Sequence, residues 1–164
     1  INLHGNEAPH GLYYKLKPNV KPIMDDVQDF INNHNTMTLA TRGERDVGAA
    51  AVFYAPLKES NSLLFVSNPK SEHITNLEKE NKCAATIQED GLKWEVIKGL
   101  QIKGIVVEAE DKCWNIYFKR FPYVKNDEVL SKALTKVVLY EFQISWARLI
   151  DNGKGFGNRT ETRY

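Results

Sequence analysis

The chain lacks most of the features that announce a chemical site. Among 164 residues it has two cysteines, Cys83 and Cys113. Two is too few for a disulfide framework, and their separation is not that of metal ligands. Both read as reduced, small buried hydrophobes, and the cytoplasm is the expected home. The four histidines, His4, His10, His34 and His73, never stand at i, i+4, so no helical zinc site forms and no metal is expected. No apolar run approaches the ~20 residues needed to cross a bilayer, and no signal-peptide core opens the chain. Neither sign of charge dominates: 22 Lys and Arg face 21 Asp and Glu, a net charge of +1. Nucleic acid and anionic membranes are therefore not expected partners. Also missing are G-x-S-x-G, the P-loop and G-x-G-x-x-G, and with them the nucleophile elbow, the P-loop nucleotide site and the dinucleotide fingerprint.

What is present is the pattern of one folded domain. The composition is 42% hydrophobic and 26% charged, and this length buries a core without staples. Residues 1–22 are broken by Gly5, Pro9, Gly11 and Pro18 and read as an N-terminal arm. Ile23, Val27, Phe30 and Ile31 form a helical stripe over 23–34. Strands are expected at 36–42, 47–55, 62–67 and 83–88, the first two joined across the charged turn Gly43-Glu44-Arg45-Asp46. A polar helix over 71–82 separates the third from the fourth, with Ser71 as N-cap and Glu72 in its first turn. A long strand over 96–110 puts Leu100, Ile102 and Val106 on one face and Gln101, Lys103, Ile105 and Val107 on the other. Its Gly99 and Gly104 mark bulges or close backbone approach. Trp114, Tyr117, Phe118 and Phe121 recur at helical spacing over 111–121, a short helix is expected over 126–136, and one or two strands over 137–150 bend near Ser145. Short strands at short spacing, with helices at the periphery, predict a mainly β barrel. Residues 23–157 form this domain and 158–164 a C-terminal tail.

Three stretches carry possible chemistry. The first is Leu64-Phe65-Val66-Ser67-Asn68-Pro69-Lys70-Ser71-Glu72-His73, where a strand ends and a helix begins. Ser67, Lys70, Ser71 and His73 gather hydroxyls and cations at a helix start, which suits a phosphate. The same pattern also describes an ordinary capped helix with solvated charges. The second is Gly48-Ala49-Ala50-Ala51. Alanine is a poor strand former, so this run suits either a flat ligand against the backbone or close packing of a helix. The third is the pair Gln101 and Lys103, either a hydrogen-bonding edge for a ligand or a solvent-facing pair. Gly153-Lys154-Gly155-Phe156-Gly157 reads as a flexible tail, or as a loop that brings Phe156 to a flat ligand.

Together these residues resemble the pyridoxamine 5′-phosphate oxidase-related, FMN-binding split barrels. The likeness runs through Thr38-Leu39-Ala40-Thr41 and Gly48 to Phe53. It continues through Leu64 to Ser67, Ser71 to Leu77 and Cys83 to Thr86, then Gly99 to Gly104. Trp146 to Asn152 with Gly155-Phe156-Gly157 is similar to a poorly characterised bacterial branch. The resemblance implies a six-stranded antiparallel split barrel, a homodimer, and FMN in a groove at the subunit interface. It assigns the phosphate to Ser71 and His73, with Lys70 nearby, and the flavin to Ala50, Ala51, Val66 and Ser67, with Gln101 facing the cofactor. Glu72 stands where the oxidases carry Arg, and their C-terminal arginine segment has no match here, so pyridoxamine phosphate oxidation is not expected. The implied activity is an FMN-dependent oxidoreductase acting on a small molecule, with no residue assigned as acid or base. Alternatives are a non-catalytic flavin-binding or redox-sensing protein, a barrel holding haem or a deazaflavin, and a barrel that serves as an interaction module.

Overall fold

The computed structural model describes residues 23–164; the expected N-terminal arm lies outside the described residues. The chain forms seven strands among the described residues: β1 (Thr36–Arg42), β2 (Val47–Leu57), β3 (Ser62–Ser67), β4 (Lys82–Gln88), β5 (Lys98–Glu108), β6 (Val138–Asp151) and β7 (Arg159–Arg163). They form one sheet in the order β3-β2-β1-β4-β5-β6-β7. Every pairing is antiparallel. A further pairing of β3 with β6 closes the first six strands into the expected barrel. The helices are α1 (Asp25–Asn33), α2 (Glu72–Lys79), α3 (Trp114–Arg120), α4 (Tyr123–Asn126) and α5 (Glu128–Leu134).

The barrel interior is filled by one face of each strand. Met37 and Leu39 of β1, Tyr54 of β2, Leu63 and Phe65 of β3, and Leu100 and Ile102 of β5 meet there with Val27, Phe30 and Ile31 of α1. Asp25 and Asp26 lie in the first turn of α1, at the positive end of its dipole. The Tyr54 hydroxyl donates to Ile31 O at 2.7 Å, fastening the helix end to the barrel. Burial pushes the pKa of this phenol above its ordinary value. Tyr54→Phe keeps the ring and removes this bond, so it should lower stability by about 1 kcal/mol. Urea unfolding should show a lower midpoint with an unchanged slope.

A second apolar cluster lies on the outer surface of β2 and β3. Ala55, Leu57 and Leu64 are covered there by Cys113, Tyr117 and Phe121, from α3 and the residues on either side of it. The aromatic stripe expected on this helix therefore packs the barrel's outside, with Trp114 and Phe118 stacked at 5.2 Å.

β6 is one strand of 14 residues. The bend expected near Ser145 is a bulge within it. Pairing with β5 passes from Lys103↔Trp146 to Gly104↔Ile144, which leaves Ser145 as the extra residue. Its hydroxyl donates to Lys103 O at 3.2 Å. A bulge of this kind kinks and twists a strand. Here it lies between the half of β6 that pairs with β3 and the half that pairs with β7.

The segment 158–164, expected as a tail, contains β7 paired to the edge of β6. Arg-Thr-Glu-Thr-Arg carries no apolar alternation, so local pattern does not reveal the strand; ladder hydrogen bonds to β6 hold it. The glycine-rich stretch before it is the connecting hairpin. Gly155 and Gly157 have φ of 127° and 75°, a region that favours glycine. No helix among the described residues is long and apolar enough to cross a membrane.

Candidate functional site

The transition from β3 to α2 is locally determined. Asn68 holds the loop, its side-chain oxygen accepting from Lys70 N at 2.9 Å and its carbonyl from Ser71 N at 3.0 Å. Ser71 occupies the N-cap position, but its hydroxyl makes no bond to the first turn of α2. It donates instead to Asn68 O at 2.8 Å. It also lies 3.1 Å from Ser67 Oγ and 3.3 Å from His73 Nε2. Ser67 Oγ is 2.7 Å from His73 Nε2. Three of the expected phosphate residues thus form one hydrogen-bonded cluster at the mouth of α2. Ser67 is buried, Ser71 and His73 are half-buried, and Lys70 is exposed beside them. Burial holds the His73 imidazole below its ordinary pKa of 6.5, and the adjacent Glu72 carboxylate opposes this.

Ser67 and Val66 point to opposite faces of β3. Val66 faces outward and lines a cavity of about 330 Å³ with Phe53, Tyr117, Tyr123, Leu130 and Leu134. Beside it a more polar hollow is lined by Asn68, Lys132 and Lys136, and both share Ala133 and Val137. Val66 and Asn68, the chain neighbours of Ser67, thus line the apolar slot and the hollow, while Ser67 itself points to the other face of β3. A larger groove of about 680 Å³ runs past Asn32, Lys58, Lys119 and Arg120. Its Arg120 guanidinium is occupied by Asn32 O, His34 O and Asn35 Oδ1 at 2.7–3.0 Å, so it clamps the chain after α1.

Register separates the alanines. Ala50 pairs with the fully buried Leu39 and faces inward, whereas Ala51 pairs with Thr38 and faces outward, exposed. The outward row continues Ala51, Thr38, Thr86, Gln101, Arg148, Glu161. A parallel row runs Ala49, Ala40, Ala84, Lys103, Trp146, Arg163. At the far end Lys103 Nζ and Arg148 Cζ lie 4.8 and 5.0 Å from the Trp146 ring centre, and Arg148 is ion-paired to Glu161 at 2.7 Å. The sheet's outer surface is therefore flat and small over β1, β2 and β4, and cationic and aromatic over β5 to β7.

Gln101 lies three strands from Ala51, about 14 Å at ordinary strand spacing. Phe156 sits on the β6–β7 hairpin, 80% exposed. That hairpin is held to the turn before β5 by Asn152 Nδ2 donating to Trp94 O at 3.0 Å. Within one chain the structure thus brings together Ser67, Ser71 and His73, with Lys70 and Val66 adjacent. It sets Ala51 and Gln101 on a common face and places Ala50 and Phe156 elsewhere.

A family model described as pyridoxamine 5′-phosphate oxidase matches residues 23–151. The chain belongs to this family. A UPF0306 protein of Campylobacter jejuni is 25% identical over 139 residues, covering 84% of this chain and 97% of that protein. Among solved structures, a haem-binding protein from Mycobacterium smegmatis superposes with a TM-score of 0.65 at 16% identity. The match covers 88% of this chain and 60% of that one. The conserved hypothetical protein Rv2991 from Mycobacterium tuberculosis superposes with a TM-score of 0.66 at 19% identity, covering 83% and 90%. These structural likenesses establish the split-barrel fold.

Two thiols lie among the described residues of this pyridoxamine 5′-phosphate oxidase family member. Burial pushes the Cys83 thiol up to about 12 and raises that of Cys113, so neither is a ready nucleophile. Among the described residues no group of His, Cys, Asp and Glu could hold a metal ion. Sequence reading missed Phe53, Tyr123 and Leu130 in the apolar slot, and Thr38, Thr86 and Arg148 on the outer row. The slot had no local signal, because its walls come from segments far apart in sequence. Thr38 and Thr86 were legible as polar members of alternating strands.

Proposed function

We propose that the chain is an FMN-binding flavoprotein, an oxidoreductase acting on a small molecule with a nicotinamide cofactor or oxygen as second partner. The observation that carries this reading is the cluster of Ser67 Oγ, Ser71 Oγ and His73 Nε2 within 2.7–3.3 Å of one another, at a helix start beside Lys70. Hydroxyls, an imidazole and the helix dipole are the donors a phosphate monoester needs. The residues fit the cofactor: Ser67, Ser71, His73 and Lys70 would hold the phosphate. Val66 and the adjoining apolar slot, together with the exposed Ala51, suit a flat ring. Bound flavin supplies hydride or electron transfer, and the protein orients it and excludes water.

Gln101 lies too far along the sheet to join this cluster within one chain. A homodimer that places Gln101 of one copy against the Ser67–Ser71–His73 cluster of the other accounts for both halves of the expected site. The free cysteines accord with a reducing, cytoplasmic setting.

The test is the visible spectrum of the purified chain before and after excess FMN, followed by gel filtration. Retained flavin bands support the reading, and their bleaching by NADH or NADPH supports turnover. Lys70→Ala with His73→Ala should weaken FMN binding at least tenfold in a fluorescence titration; full affinity in the double variant would misplace the phosphate.

A haem reading draws support from the name of the M. smegmatis neighbour. Haem needs an axial ligand. His34 Nδ1 lies 2.7 Å from Phe30 O, with its ring 4.1 Å from that of Phe30, and His73 is bonded to the two serines. The serine bonds of His73 favour flavin at this cluster, whereas the carbonyl bond of His34 leaves its Nε2 free to act as an axial ligand. A Soret band in the same spectrum would reverse that preference.

A further inference from the structure

We propose that the Ser67–Ser71–His73 cluster takes up a phosphate group and a proton together, with His73 as the residue that decides which charge state the site holds. This rests on the flavin-phosphate reading above. It follows from counting hydrogens. The Ser71 hydroxyl proton is committed to Asn68 O. Ser67 Oγ faces His73 Nε2 at 2.7 Å and Ser71 Oγ at 3.1 Å. With a neutral imidazole accepting at Nε2, the Ser67 proton is used as well, and the cluster is closed on itself. A phosphate oxygen only accepts, so it finds no donor among the three atoms of the cluster; the one N–H left, on His73 Nδ1, is on the other edge of the ring from Nε2 and the serines. Protonated His73 reverses the bond: Nε2 donates to Ser67 Oγ, and the Ser67 hydroxyl proton turns outward to the phosphate. A neutral ring with its proton on Nε2 would free the same hydroxyl. It would, however, add no positive charge to offset Glu72.

The surroundings match this assignment. Burial favours the neutral form of the ring in the ligand-free protein. On α2 the charge next to His73 is Glu72; on the preceding loop it is Lys70. From β1 and β2, the groups meeting α2 are the uncharged Thr41, which accepts from Asn76 Nδ2 at 3.2 Å, and Gly48. The ion pair Lys79–Glu44 sits at the opposite end of the helix. From the α5 side, Lys132 and Lys136 line the hollow shared with Asn68, and Lys132 is paired with Glu128. The lysines attract the anion, Glu72 repels it, and the proton on His73 tips the balance.

The test is calorimetric titration of FMN into the full chain between pH 7 and 8, in phosphate-free buffers of different ionisation heat. A phosphate monoester is already dianionic there, its second pKa being about 6, so a proton taken up belongs to the protein. Expected are uptake approaching one proton per FMN and a weakening of affinity of up to about tenfold per pH unit rise. Riboflavin, which lacks the phosphate, should show neither, and His73→Gln should bind FMN with no uptake and a flat profile. Uptake that is absent in the wild type, or that survives in His73→Gln, overturns the proposal. If FMN does not bind at any pH, the flavin reading fails on its own. The proposal is then read from the His73 ring by NMR with inorganic phosphate alone: an upward move of its pKa supports it, and no move overturns it.

Discussion

Gly104→Ala should cost about 3 kcal/mol, the upper part of the range for overpacking a close-packed interior. A methyl carbon at this position would lie 1.9 Å from Gln143 O, 2.9 Å from Gln143 C and 3.2 Å from Ile144 Cα. All three are backbone atoms of the paired strand, so no side-chain rotation relieves the clash. β6 must move away, and β6 carries the ladders to β5, β3 and β7. The bulge at Ser145 sits directly beside this point, so its geometry would be lost with the clash. Thermal unfolding should show a midpoint lower by roughly 6–12 °C for a chain of this size. Gly99→Ala on the same strand is the control. The nearest atom to its added carbon is Ile87 O at 3.6 Å, an ordinary contact. It should change stability by less than about 1 kcal/mol. Equal melting of the two variants would show that β5 and β6 do not approach closely at Gly104.

Ser71→Asp should reduce FMN affinity at least about 100-fold, equivalent to roughly 2.7 kcal/mol, while leaving the fold intact. Aspartate is as good an N-cap as serine, and Ser71 contributes no cap bond to α2 that could be lost. The new carboxylate would stand near Ser67 Oγ and His73 Nε2, where the serine hydroxyl now lies at 3.1 and 3.3 Å. It would pair with the imidazole and occupy the place of the phosphate. Riboflavin affinity should change far less, because riboflavin brings no phosphate to be repelled. Fluorescence titration with both flavins distinguishes the outcomes. An unchanged FMN constant would remove the phosphate from this cluster, and an equal loss for both flavins would point to general damage at the site.

Much of the architecture was readable from local pattern because each of those decisions is made within a few residues. Met37 and Leu39 alternate with Thr36 and Thr38, and β1 follows. Ile74 and Leu77 set the buried stripe of α2. Gly104 announced a close approach, since a residue without a Cβ in a strand is costly unless something occupies that space. Ser67, Ser71 and His73 were legible as candidates because seven residues hold them all. Their hydrogen-bonded contact needs only the end of one strand and the first turn of one helix.

Other features depended on pairings that no local window contains. Gly48-Ala49-Ala50-Ala51 has no alternation of size, so the face of each alanine was undetermined until β1 fixed the register, with Leu39 opposite Ala50. β7 is polar throughout and becomes a strand only because the edge of β6 is available to it. The apolar slot beside Val66 exists because α4 and α5 return over β2 and β3 from some 60 residues away in sequence, and the barrel closes through Ser62↔Gln143, farther still. By itself the sequence determined the six barrel strands, the start of α2 and the chemical character of the β3–α2 corner, because hydrogen bonding and side-chain alternation act over short range. Tertiary structure alone decided which faces meet, where β7 docks and how far Gln101 stands from His73, because these depend on register and closure between distant segments.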